Sequence, residues 1–465
     1  MKYGTIISTE RLRPTTTIRE HDLTTETESD KARVLFSAPF RRLQKKAQVF
    51  PLESNAAVRS RLTHSLEVAA VGRQIAQKIA KELVHRTEIA DSDPLVNIVE
   101  CACLLHDIGN PPFGHFGEAA ISSWFKNNGA ESKSFELHRK NFTPYYLDFE
   151  NFDGNAQGLR IITKLQGEDQ YGLNLTCSTI AAYLKYPHSE STREAGKNNF
   201  HKKPGYFLTE DDSIKATWDK LEIPHHVRSP LTFIMEAADD IAYCLSDIED
   251  GIEKNIITLD QVLIEIGNAL DSDAQIHWQE MVLKAEQYKN IINKFIYIRT
   301  NLINRATTIA KESFIENSAA IFSGNFHETL ITKSSLEYKI LKAARGFVAL
   351  KVYTSREAEV IELSGNSIIT GLLDKLSPLL ELDTESFQIV LNKDTDGIKE
   401  NGLQIHSRLI NLLPSQCKKS YKHEASIKPD MEWIYRVHLI IDYLSGMTDD
   451  FALEMYQKLM GIRTT

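Results

Sequence analysis

The sequence predicts an all-α protein, mainly helical and with at most minor β structure. Three observations support this fold class. Apolar residues recur at spacings of three and four over 62–83, 95–107 and 231–248, and this periodicity continues from about 260 to 320 and from 430 to 463. Strand signals are weak and short, and the best of them lie around 349–363 and 386–391. The chain contains no internal repeat, no low-complexity block and no clear linker.

Composition places the chain among ordinary globular proteins. Of its 465 residues 42% are hydrophobic and 25% charged, and 54 basic against 63 acidic side chains give a net charge of −9. This excludes disorder, collagen and a coiled coil for the chain as a whole, and the length allows up to about three domains or one large core. The acidic balance argues against a surface built throughout for nucleic acid.

Location and redox state follow from two further features. No apolar run approaches the roughly 18–20 residues of a membrane-spanning helix, and the first residues contain no apolar segment typical of a secretion signal. The five cysteines are scattered, without a Cys-x-x-Cys pair, which favours neither a disulfide framework nor a zinc ribbon. We therefore expect a cytoplasmic protein, without a membrane partner, whose thiols are reduced and mostly buried.

The first elements in chain order are an arm and two helices. Residues 15–30 are polar and predict a poorly ordered N-terminal arm over 1–30. Residues 62–83 carry two apolar stripes, which predicts a helix buried on two sides. Residues 95–107 predict another buried helix, which must end before Pro111-Pro112 because proline removes a backbone donor. His106 and Asp107 therefore lie at a helix end.

Two later segments complete the outline. Residues 186–206 are polar and contain glycine, which predicts a mobile loop. Residues 231–248 predict a helix with an apolar stripe, whose opposite side carries Asp239, Tyr243 and Asp247. These three residues are four apart, so they span about 12 Å along the helix. A nucleotide could lie along them.

A histidine followed directly by an aspartate offers one imidazole nitrogen and one carboxylate oxygen to the same metal ion. His64 and Asp239, each on a predicted buried helix, are candidates to complete the site, since an aspartate in an apolar stretch is costly unless paired or metal-bound. Such a set suits Mn²⁺, Fe²⁺ or Zn²⁺, and also Mg²⁺ when phosphates add oxygens. From the residues alone, a hydrogen-bonded His64 and a solvated Asp239 remain open.

Seven segments resemble one known family, the HD-domain metal-dependent phosphohydrolases, and within it the deoxyguanosine triphosphate triphosphohydrolases. They keep their order and span most of the chain. The segments are RRLQKKAQVFPL at 41–52, SRLTHSLEVAAVGR at 60–73, HDIGNPPFGHFGEAAI at 106–121, GNAQGLRI at 154–161, LKYP at 184–187, EAADDIAYCLSDIED at 236–250 and DYLSGMTDDFAL at 442–453.

The resemblance implies a function as well as a fold. It implies a helical HD phosphohydrolase core, placed here at 31–260, with helical additions over 261–465 that contribute to the substrate pocket and to oligomer contacts. It also implies hydrolysis of a deoxynucleoside triphosphate to a deoxynucleoside and tripolyphosphate. The resemblance also implies one divalent metal ion, bound by His64, His106, Asp107 and Asp239. Mg²⁺ or Mn²⁺ is favoured over Fe²⁺ or Zn²⁺.

His115 and Glu118 are implied as the catalytic dyad. They are three residues apart after a glycine-rich turn, so on a helix the carboxylate can orient the imidazole. Without the resemblance, a capping glutamate beside a surface histidine would be the preferred interpretation.

The substrate residues implied by the resemblance fall into two groups. Arg61, Lys185 and Tyr186 would bind phosphates, where Arg can clamp two oxygens and Lys supplies a point charge. Tyr243 would stack on the sugar, and Asp247 with Gln48 would bind a ribose hydroxyl. A tyrosine where a 2′-hydroxyl would project gives a physical reason to prefer deoxyribose. The basic cluster RRLQKK at 41–46 suits phosphates, a subunit contact or nucleic acid, and the sequence does not choose among these.

The sequence leaves several other functions open. The chain could act on another nucleotide, as a 5′-deoxynucleotidase, a cyclic-nucleotide phosphodiesterase or a (p)ppGpp hydrolase, or accept all dNTPs without preferring dGTP. It could be a nucleotide-responsive protein that has lost catalysis, or one that binds single-stranded nucleic acid. The resemblance implies a homo-oligomer, a tetramer or a hexamer, without fixing its size, and single-stranded DNA as a further partner.

Overall fold

Helices account for almost all of the regular structure. A computed structural model of the chain describes residues 3–16, 20–53, 55–128, 133–167 and 169–462. Within these ranges no β-strand forms, and only isolated bridges join Arg11 to Thr176 and Ala47 to Ser60. The all-α prediction is confirmed.

Eleven α-helices are described in the first part of the chain, up to residue 253. They are α1 (Tyr3–Ile6), α2 (Leu23–Leu35), α3 (Ala38–Arg42), α4 (Arg61–His85), α5 (Asp93–Leu105), α6 (Gly114–Asn127), α7 (Lys133–Glu150), α8 (Gly154–Thr163), α9 (Cys177–Tyr183), α10 (Asp211–Lys220) and α11 (Pro230–Glu253). The predicted helices over 62–83, 95–107 and 231–248 correspond to α4, α5 and α11.

Thirteen further helices follow in the described residues up to 462. They are α12 (Leu259–Asn268), α13 (Ser272–Ala285), α14 (Ile291–Glu316), α15 (Ser318–Phe322), α16 (Leu336–Lys351), α17 (Arg356–Leu376), α18 (Pro378–Glu381), α19 (Thr384–Asn392), α20 (Thr395–Glu400), α21 (Gln404–Leu412), α22 (Ser415–Ile427), α23 (Glu432–Ser445) and α24 (Asp449–Leu459). Short 3-10 turns lie at Leu43–Lys45, Glu190–Thr192, Asn199–His201, Leu208–Glu210 and Pro429–Met431.

Both strand predictions are wrong. Residues 349–363 span the end of α16 and the start of α17, and 386–391 lie within α19. In α19, Phe387, Val390 and Leu391 are buried at helical spacing, and the Asp383 side chain caps the helix by accepting from the Ser386 amide. The cap and the helical spacing outweigh the local β propensity.

The N-terminal residues differ from the predicted arm. Tyr3 and Ile6 are buried, and α2 begins at Leu23, within the range assigned to the arm. The buried Arg11 guanidinium pairs with Glu26 at 2.6 Å and with Asp30 at 2.7 Å. The residues looked disordered because they are polar, but part of that polarity is a buried ion-pair network. Thr17, Ile18 and Arg19 lie outside the described residues.

The segment 186–206, predicted as a mobile loop, packs against the protein. It has no α-helix, but Tyr186, His188, Ser189, Phe200 and His201 are buried. Two of its rings, those of His188 and His201, stack at 3.9 Å between centroids. Its polar composition therefore reflects buried polar contacts as well as exposed ones.

Two hydrophobic cores form, and both contain helices from before and after residue 260. The first core holds α1 to α5 and α8 to α11, and α12 to α16 pack in it as well. The second core joins α6 and α7 to most of the region from α17 to α24. The later helices therefore pack into both cores.

A buried ion cluster ties the early helices to the late ones. Arg160 on α8 is 1% exposed and pairs with Glu210 at 2.9 Å, Glu424 at 2.8 Å and Asp442 at 3.0 Å. Because its carboxylate partners come from the turn before α10, from α22 and from α23, this one side chain fixes α8 against the C-terminal helices.

The cysteines follow the prediction. All five are free thiols, of which Cys101, Cys103, Cys177 and Cys244 are buried and Cys417 is half-buried. None of the described helices has an apolar stretch long enough to cross a membrane.

Candidate active site

Three helices bring the predicted metal ligands together. His64 lies on α4, His106 caps the end of α5 with Asp107 next to it, and Asp239 lies on α11. The Asp239 Oδ1 atom is 3.6 Å from the Nε2 atoms of both His64 and His106, and Asp107 Oδ2 is 3.7 Å from His106 Nε2. His64, His106 and Asp107 offer ligand atoms that all lie within 4.8 Å of one another.

The hydrogen bond of His106 leaves its other ring nitrogen available to a metal ion. His106 Nδ1 lies 2.7 Å from the Cys103 carbonyl oxygen, so it donates there and leaves the Nε2 lone pair free. His106 Nε2 is buried and has no hydrogen-bond partner in the described part of the chain, although it faces the carboxylates of Asp107 and Asp239. A divalent cation fits this donor set, because it would satisfy the orphaned nitrogen and both carboxylates together.

Two predicted phosphate cations lie beside two of the predicted metal ligands. Arg61 Nη1 donates to Asp107 Oδ2 at 2.6 Å, and Lys185 Nζ donates to Asp239 Oδ2 at 3.3 Å. Arg61 is the first residue of α4, which puts it on the same side as His64, as the spacing predicted. Two predicted phosphate residues thus lie directly beside the predicted metal ligands.

This arrangement keeps the carboxylates ionised. Burial alone would raise the pKa of Asp107, but the Arg61 guanidinium and the nearby imidazoles outweigh it and hold that pKa well below its usual value. At Asp239 burial is likewise outweighed, here by Lys185 and His106, and the pKa is again lowered. Ionised carboxylates are the form that binds a cation.

The two residues predicted as a dyad lie side by side. His115 and Glu118 lie near the start of α6, and His115 Nδ1 is 2.7 Å from Glu118 Oε2. The other Glu118 oxygen accepts from the Gly154 amide at 2.7 Å, so the carboxylate is fixed at both ends. The Glu118 side chain is 9% exposed and that of His115 is 72% exposed. When Nδ1 carries the proton, Nε2 is left free to take one from the cleft.

A lysine and an aspartate near the dyad were missed from the sequence. Lys203 Nζ lies 2.8 Å from Asp153 Oδ2 and 3.8 Å from Glu118 Oε2. Burial would raise the pKa of Glu118, but the His115 hydrogen bond and the Lys203 charge outweigh it and lower that pKa. Lys203 lies in the segment predicted to be a mobile loop, so its surroundings gave no signal. Asp153 precedes GNAQGLRI and caps α8.

The predicted sugar residues continue along α11. The His64 and Tyr243 rings lie 6.5 Å apart, so Tyr243 borders the metal residues. Asp247 is fully buried, and its Oδ1 atom has no hydrogen-bond partner among the described residues. Tyr353 was missed, because it lies in a segment predicted as a strand. Its hydroxyl donates to Asp247 Oδ2 and also hydrogen-bonds the Tyr243 hydroxyl.

Two predicted substrate residues, Gln48 and Tyr186, are connected less directly to the metal ligands. Gln48 is half-buried with an unpartnered Oε1, like Asp247 Oδ1, but among the described residues no hydrogen bond joins the two side chains. Tyr186 is 8% exposed and follows Lys185, which lies just after α9 as the LKYP proline suggested. Lys185 and Tyr186 line a cleft of about 300 Å³ with Lys202, Lys342 and Arg345.

One known protein family matches the part of the chain that carries most of these residues. The HD domain family matches residues 61–165, which contain His64, His106, Asp107, His115 and Glu118. An HD domain implies a divalent metal ion.

Full-length relatives cover nearly the whole chain. Deoxyguanosinetriphosphate triphosphohydrolase of Yersinia pseudotuberculosis serotype O:3 (strain YPIII) is 36% identical over 97% of this chain and 96% of its own length. The protein of the same name from Serratia proteamaculans (strain 568) is 35% identical over 95% of each chain. The similarity thus extends well beyond the HD domain, and the chain belongs to the deoxyguanosinetriphosphate triphosphohydrolase family of HD-domain proteins.

Proposed function

We propose that the protein hydrolyses dGTP to deoxyguanosine and tripolyphosphate in a metal-dependent reaction. One observation carries the proposal: two histidines and two aspartates converge at 3.6–3.7 Å beside a buried carboxylate and tyrosine that can hold a deoxyribose. The names of the family relatives support the same substrate.

His64, His106, Asp107 and Asp239 would hold one divalent ion, and Mg²⁺ or Mn²⁺ is favoured because phosphate oxygens would join the protein's ligands. When bound, such an ion stabilises charge at the α-phosphate and lowers the pKa of a coordinated water. Arg61 and Lys185, each already beside a ligand carboxylate, would neutralise the phosphate oxygens, and Tyr186 would donate to them.

His115 would move the proton, either from the attacking water or to the departing 5′ oxygen. Glu118 keeps the imidazole oriented and stabilises its protonated form, and the Gly154 amide in turn fixes Glu118. The low pKa of Glu118 keeps that carboxylate charged for this task.

The sugar would lie against Tyr243, and its hydroxyl would donate to the orphaned Oδ1 of Asp247, with Gln48 as a second contact. Since Tyr353 already binds the other Asp247 oxygen, the aspartate presents one free acceptor in a fixed direction. A ring packed on the 2′ face leaves no room for a ribose 2′-hydroxyl.

Further parts of the proposal concern the whole molecule. We place the HD core at 31–260 and expect the later helices to complete the pocket and to form a tetramer or hexamer. A cytoplasmic location follows from the cytoplasmic nucleotide substrate. Single-stranded DNA binding would rest on exposed cations such as Arg41, Arg42 and Lys45, since Lys46 of the same cluster is buried.

The test separates substrates by product. The purified protein is incubated with Mg²⁺ or Mn²⁺ and, separately, with dGTP, dATP, dCTP, dTTP and GTP, and the products are resolved by anion exchange. Tripolyphosphate from dGTP alone supports the proposal. Tripolyphosphate from all four dNTPs but not GTP removes the guanine preference and keeps the mechanism. Orthophosphate or pyrophosphate in its place contradicts the proposal and favours another HD phosphohydrolase reaction.

A further inference from the structure

The C-terminal segment DYLSGMTDDFAL reaches the active-site region through one buried carboxylate. Asp449, the first residue of α24, is 3% exposed. Its Oδ1 atom accepts from the Phe113 amide at 3.0 Å, and its Oδ2 atom accepts from the Ala47 amide at 2.8 Å. One side chain therefore holds two backbone positions, one next to Gln48 and one two residues before His115.

A buried lysine makes the complementary connection. Lys46 is 4% exposed, and its Nζ atom donates to the Asn110 carbonyl at 2.5 Å and to the Ser445 carbonyl at 2.7 Å. Ser445 ends α23, and the last carbonyls of a helix lack partners within it and attract a cation. Lys46 and Asp449, with the four backbone groups that they bind, are called the clasp here.

The clasp holds the turn that separates the predicted metal ligands from the dyad. Asn110 follows Asp107 by three residues, and its side chain donates to Asp107 Oδ1 at 2.5 Å. Phe113 has a φ of +63°, which is an uncommon backbone conformation for a bulky residue, and Gly114 follows with a φ of +56°. A turn of this kind persists only when its surroundings fix it.

The turn is also contacted on its other side, by the Arg61 side chain. A Cβ atom at position 114 would lie 2.5 Å from Arg61 Nη2, so the predicted phosphate arginine packs directly on the turn. Among the described residues no side chain caps the start of α6, and the Phe113 amide that precedes the helix is bound by Asp449. The position of His115 and Glu118 relative to Asp107 therefore depends on contacts from the C-terminal motif.

We propose that Asp449 is a positioning residue for hydrolysis, and that the clasp of Asp449 and Lys46 sets the dyad and Gln48 against the metal ligands. This rests on the proposed function for its activity readout. Asp449 lies about 330 residues from the dyad in the sequence, and it touches no reacting atom. A displacement of about 1 Å at a catalytic group costs on the order of 100-fold in rate.

The test compares Asp449→Asn with Asp450→Asn. Asparagine keeps the volume of aspartate but offers one acceptor oxygen, so one of the two backbone bonds is lost. Asp450 is the neighbouring residue, its side chain is 57% exposed, and it pairs only with Lys45 in the described structure, at 3.2 Å. We expect kcat for dGTP to fall about 10- to 100-fold in Asp449→Asn and less than twofold in Asp450→Asn. The Mn²⁺ binding constant should stay within threefold in both.

Hydrogen exchange gives a readout that does not depend on activity. The amides of residue 110 and residues 113–118 should exchange at least tenfold faster in Asp449→Asn than in the wild type, and at the wild-type rate in Asp450→Asn. If no dNTP is hydrolysed by the wild type, the proposed function fails while this comparison still tests the clasp.

A purely structural role predicts a different pattern. It would lower the unfolding temperature of Asp449→Asn and leave kcat and exchange at 110–118 unchanged well below that temperature, which would overturn the inference. Should Asp449→Asn fail to fold, Lys46→Met, which removes only the donors to Asn110 and Ser445, is measured in the same way. Wild-type kcat in that variant would likewise overturn it.

Discussion

Replacing Asp247 with asparagine should stabilise the protein and impair its activity. Burial raises the pKa of Asp247 from its usual 3.8 to about 7. The carboxyl is fully buried, and its Oδ1 atom has no hydrogen-bond partner in the described structure. The charged form therefore opposes folding, and asparagine removes that charge with little change in volume.

The sign and size follow from proton linkage. Between pH 3.8 and about 7, the folded protein keeps a proton on Asp247 that the unfolded chain releases, so the free energy of unfolding falls as pH rises through this window. Each pH unit in this window is worth about 1.4 kcal/mol, so the whole window corresponds to about 4 kcal/mol, of which more than half falls between pH 5 and pH 8. Asparagine does not titrate, so its advantage over the wild type should grow by that amount.

Urea unfolding of the wild type and Asp247→Asn, with chelator at pH 5, 6, 7 and 8, measures this difference. Glu280→Gln, an exposed change in the middle of α13, is the control and should run parallel to the wild type. In the same variant, kcat/KM for dGTP should fall about 10- to 100-fold, because a hydrogen bond to a charged acceptor contributes about 1.5–3 kcal/mol. A stability difference that is constant from pH 5 to pH 8 would refute the reasoning.

Three further changes test other parts of the structure. His115→Ala should lower kcat by about 10²- to 10⁴-fold while dGTP binding, measured by equilibrium dialysis, is retained, and near-normal turnover would remove its role. Gly109→Ala should destabilise the protein severely in urea unfolding, because its Cβ would lie 2.1 Å from the backbone atoms Gly154 O and Gly158 N; wild-type stability would contradict that close packing. Arg160→Met should cost about 3–5 kcal/mol of unfolding free energy, since it removes the cation beside the buried Asp442 and leaves Lys164 to pair with both Glu210 and Glu424, and a change below 1 kcal/mol would contradict this.

The helices that build the site could be predicted from sequence because their signal is local. The apolar spacing of α4, α5 and α11 predicted that these segments are helices and where they lie, and the end of α5 before Pro111 predicted that His106 and Asp107 lie at a helix end. Each metal candidate belonged to one such helix, so their meeting required only that the buried helices pack together. The dyad was predictable for the same reason, since it needs one turn of α6.

Residues that depend on contacts between distant segments could not be found this way. Tyr353 meets Asp247 across 106 residues and lies between α16 and α17, where β-branched and aromatic neighbours imitated a strand. Lys203 reaches Asp153 from a polar segment whose sequence resembles an ordinary loop. The burial of Lys46 could not be predicted either, because the cations around it in RRLQKK suggested a solvent-exposed patch.

The N-terminal residues show the same limitation. Arg11, Glu26 and Asp30 are charged residues in a polar stretch, and only the fold shows that they neutralise one another in the interior. Polar composition predicts disorder when its charges stay solvated, and here they do not.

The most direct test of metal-dependent triphosphohydrolysis follows oxygen from the solvent. Protein stripped with chelator is given dGTP in H₂¹⁸O, with and without Mn²⁺, and His106→Ala is treated identically. We predict that only the wild type with Mn²⁺ turns over, that ¹⁸O enters tripolyphosphate, and that deoxyguanosine carries none. Hydrolysis without metal, hydrolysis by His106→Ala at the wild-type rate, or ¹⁸O in deoxyguanosine would contradict attack at the α-phosphate in this site.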